Sequence, residues 1–231
     1  MPLAAAMPCD ALRTPADPRM DRMTTPLLER SWRRAWQDLG ARRSGEELRL
    51  ALLARYGEPH RHYHGRQHLA ECLAAFETVA HLAHFAAEVE MALWFHDAIH
   101  AVRRADNEAQ SAEWASEALR EAGVAPEVRA RVHALIMATR HAAVPVAADE
   151  QLLADIDLGI LAADRARFAD YEQQIRREYA FVPGWLFKRK RRAVLAAFLE
   201  RPRIYGTDHF HAALETRARR NLAHALARPA G

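Results

Sequence analysis

The chain has 231 residues, of which half are hydrophobic and 27% are charged, and its formal net charge is only +3. This composition excludes a disordered or fibrous protein, and the length suits one sizeable domain. Its two cysteines cannot build a disulfide framework, no apolar stretch reaches the roughly 20 residues of a membrane span, and the first residues lack a signal-peptide pattern. We therefore expect a cytoplasmic protein with no membrane partner.

In chain order, residues 1–23 carry four prolines and no helical period, which predicts a disordered leader before one domain at 24–231. A helical period starts after Thr25, a suitable cap, and Pro26, a suitable first helical residue. A second helix follows the capping-box pattern at Ser44. Further helices are predicted at 66–83, 86–96, 107–122, 126–140, 150–158, 165–181, 185–200 and 209–227, with Asp106, Asp164 and Asp208 as N-caps. The predicted fold class is all-α, a single-domain bundle of about 8–10 helices.

Three polar clusters interrupt this apolar pattern. His64 and His68 are four residues apart, so both project from one face of a helix. His96 and Asp97 end a strongly apolar helix, where burial is costly unless the two side chains are paired or bound to a cation. Asp155 and Asp157 stand among leucines and isoleucines. Each cluster also has an ordinary interpretation, as a helix cap, a surface histidine or a salt-bridged helix end.

The order of these clusters resembles the HD-domain superfamily of metal-dependent phosphohydrolases, in which a His, a distant His-Asp doublet and a further Asp converge on one metal. The segments 63–69, 94–97, 106–111 and 155–158 are similar to a small bacterial group of predicted HD phosphohydrolases. The resemblance implies an HD-type helical bundle with His68, His96, Asp97 and Asp157 as metal ligands. It assigns catalysis to His64, as general acid, and to Asp97. Asp157 is preferred to Asp155 because an apolar residue follows it.

A ligand set of two imidazoles and two carboxylates suits a divalent transition metal such as Mn, Fe, Co, Ni or Zn, with Mg as a further option. We expect one ion per chain rather than two. A water acidified by the ion would attack phosphorus. The expected substrate is a phosphate ester or anhydride of a nucleotide or another small phosphorylated metabolite.

Several further residues have open roles. His133 and His141 lie where two-metal HD proteins place extra ligands; for His141 a surface position fits equally well, and for His133 a surface position fits better. Asp155 and Glu108 are candidates for a second metal or for hydrogen bonds to a ligand. The basic C-terminal third offers phosphate-binding candidates, although such a run is usually a solvated face: Arg176, Arg189 and Arg192.

The same basic run lacks the aromatic platform and the helix-turn-helix pattern of nucleic-acid binders, which argues against nucleic acid as a partner. A stripe of aromatic residues around residues 183–184 is typical of a buried core and is also compatible with a homodimer contact. Two other functions stay open as alternatives: an HD-type di-iron oxygenase, and a non-catalytic nucleotide-binding or interaction module whose metal is structural.

Overall fold

The computed structural model describes residues 18–140 and 145–227, with side chains from residue 24 onward. Within these ranges the chain forms ten α-helices, two short 3₁₀ turns and no β-strand, so the predicted all-α class is confirmed. None of the helices in the described part combines the length and the hydropathy needed to cross a membrane. The helices are α1 (Pro18–Asp38), α2 (Glu46–Tyr56), α3 (Arg66–Val79), α4 (Ala86–Phe95), α5 (Asn107–Glu121), α6 (Pro126–Ala138), α7 (Ala148–Asp157), α8 (Arg165–Glu178), α9 (Gly184–Glu200) and α10 (Asp208–Ala227).

Helix α4 is the centre of the core. It is apolar on every side rather than along one stripe, and a helix of that kind is stable only when neighbours surround it. Residues 88–95 are all buried, and α1, α3, α6 and α7 pack around them. The C-terminal end of α4 therefore delivers the residues that follow it into the interior of the protein.

Helix α1 packs against α4 through tryptophan contacts and an ion pair. The indole N–H of Trp94 donates to the buried Ser31 hydroxyl at 3.0 Å, and the Trp94 ring meets Trp32 edge to face. On the rim of the same contact, Arg34 of α1 forms an ion pair with the buried Glu90 of α4. Such pairing removes the cost of burying the Glu90 carboxylate beside apolar residues.

Most helix ends agree with the sequence signals. Gly123 has φ +77°, a conformation that glycine adopts without strain, and it ends α5 as predicted. The Asp164 carboxylate accepts the backbone N–H of Arg167 at 2.9 Å, so the predicted cap of α8 is confirmed.

Four predicted helix starts differ from the structure. The N-cap of α2 is Gly45 rather than Ser44, and the Asp106 side chain makes no capping hydrogen bond at α5. Helix α1 begins at Pro18 rather than at Thr25, and Pro26 lies inside it, because one missing N–H does not end a helix whose other turns continue. The predicted leader is thus helical over residues 18–23, while residues 1–17 lie outside the described part. Asp208 does not cap α10 but is its first residue; the Thr207 hydroxyl accepts the N–H of Phe210 instead.

Candidate metal centre

Three helices bring the four predicted ligands together. His68 lies in the first turn of α3, His96 and Asp97 directly follow the last residue of α4, and Asp157 is the last residue of α7. The two imidazoles are buried, whereas the side chains of Asp97 and Asp157 are 17% and 16% exposed. The cluster is therefore enclosed on its nitrogen side and open to solvent on its carboxylate side.

The distances between ligand atoms suit one shared cation. His68 Nε2 lies 3.2 Å from His96 Nε2 and 3.1 Å from Asp157 Oδ1, and His96 Nε2 lies 3.1 Å from Asp97 Oδ2. The two remaining nitrogen–oxygen distances are 3.5 and 3.7 Å. Atoms bonded to one transition-metal ion at about 2.0–2.2 Å lie about 3–3.5 Å from each other. The residues present therefore fit a divalent cation.

The ring orientation of His96 supports the same interpretation. Its Nδ1 lies 2.8 Å from the Leu93 carbonyl oxygen, which can only accept, so Nδ1 carries a hydrogen and Nε2 is the ring nitrogen that faces the cluster. A metal-binding histidine is commonly oriented in this way. Burial alone would lower the pKa of His96, but the Asp97 and Asp157 carboxylates outweigh burial and raise it to about 9. The carboxylates thus favour a positive charge at this position.

Cys72 lies one turn after His68 and joins the same group of side chains, with its sulfur 3.7 Å from His68 Nδ1. Burial raises the pKa of the Cys72 thiol well above its usual value, which keeps the sulfur protonated. A thiol binds metals as the thiolate. A metal ion would therefore have to displace this proton before Cys72 could serve as a further ligand.

A second cluster surrounds His64, the predicted acid. The carboxylate of Glu178 is fully buried; Oε1 accepts the backbone N–H groups of Tyr63 and His64, and Oε2 lies 2.7 Å from His64 Nδ1. Because an ionised carboxylate only accepts, His64 Nδ1 donates, and this bond fixes the orientation of the ring. Burial by itself would raise the pKa of Glu178, but the imidazoles of His100 and His64 hold it well below its usual value.

His100 completes this second cluster. Its ring stacks on that of His64 with centroids 4.1 Å apart. Its Nε2 is buried, lies 3.5 Å from Glu178 Oε2 and has no closer hydrogen-bond partner. The His100 side chain is only 8% exposed and lies between the His64 ring and the buried Glu178 carboxylate.

Two residues that hold the site were not found from the sequence. Glu178 lies 114 residues after His64 and follows Arg177 at the end of an amphipathic helix, where it looks like a solvent-facing residue. Arg61 is buried and donates to the backbone carbonyls of Asp97 and Ala98, which fixes the chain directly after the doublet. The proximity of Arg61 to the His64 segment was the only local signal for it.

The other predicted site residues lie elsewhere. The Asp155 carboxylate accepts the N–H groups of Gly206 and Thr207 and the Thr207 hydroxyl, so it supports the start of α10 and does not face the cluster. Glu108 makes no hydrogen bond or ion pair with a described residue. His133 lies on α6, outside both clusters, and His141 lies outside the described residues.

The three predicted phosphate-binding arginines are held by contacts within their own region. Arg176 donates to the Tyr179 carbonyl oxygen and lies over the Phe187 ring. Arg192 donates to the Leu226 carbonyl oxygen, and Arg189 lies over the Trp185 ring. These contacts place the basic run mainly in the packing of α8, α9 and α10 against one another.

No family model matches the sequence, and neither a curated protein nor a solved structure gives a match. A function for this chain therefore has to be argued from its own side chains.

Proposed function

We propose that the chain is a metal-dependent hydrolase of a phosphate ester or anhydride, acting on a nucleotide or another small phosphorylated metabolite. One observation carries the proposal: the Nε2 atoms of His68 and His96 lie 3.2 Å apart, and each lies 3.1–3.7 Å from carboxylate oxygens of both Asp97 and Asp157, although these residues come from three parts of the chain. The order of these residues along the chain, which resembles the HD superfamily, supports the same activity.

The two carboxylates and two neutral imidazoles would hold the cation in this proposal. When bound, a divalent transition metal polarises a phosphoryl oxygen and acidifies water near neutral pH. The chain itself orients this ligand set: Leu93 fixes the His96 ring, and Arg61 fixes the backbone of Asp97. The exposed edges of Asp97 and Asp157 leave solvent and substrate a route to the cluster.

His64 would act as the general acid. Leaving oxygens of ordinary phosphate esters depart more readily when a positioned side chain protonates them, an effect worth about 10²–10⁴-fold. Glu178 holds Nδ1 of His64, so Nε2 is the nitrogen left to donate a proton.

One ion per chain remains the favoured number. A di-iron oxygenase needs ligands for a second metal, and in the described residues the one other suitable group is His64, His100 and Glu178. The 2.7 Å hydrogen bond between His64 and Glu178 already uses two of these ligand atoms. This geometry favours proton transfer over metal binding.

The experiment begins with metal-stripped protein reloaded separately with Mn²⁺, Fe²⁺, Co²⁺, Ni²⁺ or Zn²⁺. Elemental analysis should find one equivalent, and a panel of phosphate monoesters, diesters and nucleotides should include a hydrolysed compound. The Asp97→Ala variant should lose both bound metal and turnover. Asp106→Asn, which removes an exposed carboxylate paired with Arg104, is the matched control and should keep both.

Three outcomes would contradict the proposal. A protein that binds none of the metals is not a metal-dependent hydrolase. Two irons per chain together with consumption of O₂ would favour the oxygenase. Tight nucleotide binding with no turnover under any metal would favour a non-catalytic module.

A further inference from the structure

A cavity of about 280 Å³ lies beside the metal cluster, between α3, α10 and the 3₁₀ turn Leu158–Ala162. His68 and Asp157, two of the four proposed ligands, form part of its wall. Because Asp157 is also partly open to solvent, a molecule in this cavity has direct access to the cluster. The cavity is therefore the natural place for the organic part of a substrate.

Most of the cavity wall is apolar. Helix α10 contributes Phe210 and Leu214, and Ala75 and Ile160 face them from α3 and the 3₁₀ turn. Gly159 also lines the cavity, and a Cβ atom added there would meet no atom within 4 Å. Apolar walls of this kind bind hydrocarbon or ring surface rather than sugar hydroxyls, which would lose hydrogen bonds to water.

Two arginines give the cavity its charge, and they are not equivalent. Arg167 makes a two-pronged ion pair with Glu71 at 2.7 and 2.8 Å, and Glu71 lines the cavity as well, so these charges cancel. Arg217 also lines the cavity but makes no hydrogen bond or ion pair with any described residue. Its guanidinium therefore remains available for an anionic ligand.

The apolar contact and the charged contact lie at different points along α10. Phe210 and Arg217 are seven residues apart, which is about 10 Å along a helix axis. The ligand that matches this wall has an apolar group at one end and a negative charge at the other. The cavity volume lies just below the roughly 300–1,000 Å³ of pockets for drug-sized ligands, which indicates a compact molecule.

We propose that this cavity binds the substrate, and that the substrate is a phosphomonoester of a compact, single-ring apolar group whose phosphate is bound by Arg217. This inference rests on the proposed hydrolase function and narrows its substrate class, from nucleotides in general to smaller and less polar monoesters. Arg217 then replaces Arg176, Arg189 and Arg192 as the phosphate-binding residue.

The test measures binding of two phosphonates that cannot be hydrolysed, phenylphosphonate and methylphosphonate, to the Mn²⁺-loaded protein by calorimetry. Wild-type protein should bind phenylphosphonate at least tenfold more tightly. Arg217→Gln should weaken both ligands by roughly 10- to 100-fold, because a charge-assisted contact is lost. Arg220→Gln, an exposed arginine on the same helix that does not line the cavity, is the matched control and should change neither.

A second variant tests the apolar wall separately. Gly159→Leu fills the cavity without backbone strain and should remove the preference for phenylphosphonate while leaving methylphosphonate binding and metal content unchanged. Equal binding of both phosphonates by wild-type protein, or unchanged affinities in Arg217→Gln, would overturn the inference. If neither phosphonate binds to the wild-type protein, the inference is overturned as well.

The failures of the two proposals can be told apart. If the phosphonates bind as expected but no phosphoester is hydrolysed, the cavity is a ligand site and the hydrolase function is wrong. If phosphoesters are hydrolysed but Arg217→Gln and Gly159→Leu change neither binding nor KM, the hydrolase function stands and this cavity is not its substrate site.

Discussion

Replacing Glu178 by glutamine tests the buried cluster around His64 most directly. The wild-type carboxylate accepts three hydrogen bonds, from the backbone N–H groups of Tyr63 and His64 and from His64 Nδ1. Glutamine has nearly the same shape, but its NH₂ group must occupy one of the two oxygen positions. At the Oε1 position this NH₂ group faces two backbone donors, and at the Oε2 position it can bond His64 only if Nδ1 gives up its hydrogen and accepts. In either orientation, a hydrogen bond to an ionised acceptor is lost.

The expected cost follows from these contacts. Leaving a buried donor unpaired costs about 1–3 kcal/mol, and bonds to an ionised acceptor are stronger than bonds to a neutral one. Glu178→Gln should therefore lower the free energy of unfolding by about 2–4 kcal/mol at pH 7. Because the pKa of Glu178 in the folded protein lies below its ordinary value of 4.5, this stabilisation is complete above pH 4.5 and decreases as the pH falls further.

Urea unfolding followed by tryptophan fluorescence, with a chelator present throughout, measures the effect at pH 7 and at pH 3.5. The difference between wild type and Glu178→Gln should be larger at pH 7. Asp170→Asn, which removes an exposed carboxylate from the same helix, should change stability by less than about 0.5 kcal/mol at either pH. Equal stability of Glu178→Gln and wild type at pH 7, or a deficit that does not shrink in acid, would refute the reasoning.

Three further predictions concern neighbouring residues. Asp155→Ala should lower the free energy of unfolding by about 2–4 kcal/mol, because three donors at the start of α10 lose their acceptor. Asp155→Ala should leave bound metal unchanged, whereas Asp157→Ala should reduce it. The opposite result by elemental analysis would make Asp155 the ligand and Asp157 the supporting residue. His64→Gln removes the proposed general acid, so hydrolysis of an alkyl phosphate should fall about tenfold or more, while that of nitrophenyl phosphate, whose leaving group needs no proton, should change less than about twofold. An equal loss for both substrates would count against an acid role. His133→Ala should leave metal content and turnover within about twofold of wild type, and loss of a metal equivalent would show that His133 is a ligand.

The helices could be predicted closely because their signals are local. A glycine with positive φ, a proline at a first helical position and a carboxylate cap each act within a few residues of the helix end they determine. The start of α1 was missed for the same reason: Pro26 is a strong local stop signal, and the continuation of the helix on its N-terminal side outweighs it.

The site could be predicted only in part because the cluster of His64, His100 and Glu178 depends on contacts between distant segments. His96 and Asp97 were visible as polar residues at the end of an apolar run. Glu178 was not, since its burial beside His64 is a property of how α8 packs and not of the sequence around it. The contacts of the basic run also depend on packing, because the backbone carbonyl that Arg192 binds and the aromatic ring that Arg176 covers lie on other parts of the chain.

The spacing of the proposed ligands along the chain has a mechanical consequence. His68 and Asp157 are about 90 residues apart in sequence, yet they would bond the same ion. A bound cation would then act as a cross-link between distant segments of the folded chain, and because the unfolded chain has no preformed site, the free energy of metal binding would add to the free energy of folding. Removing the metal would also release this cross-link, so the protein's resistance to proteolysis would depend on metal supply.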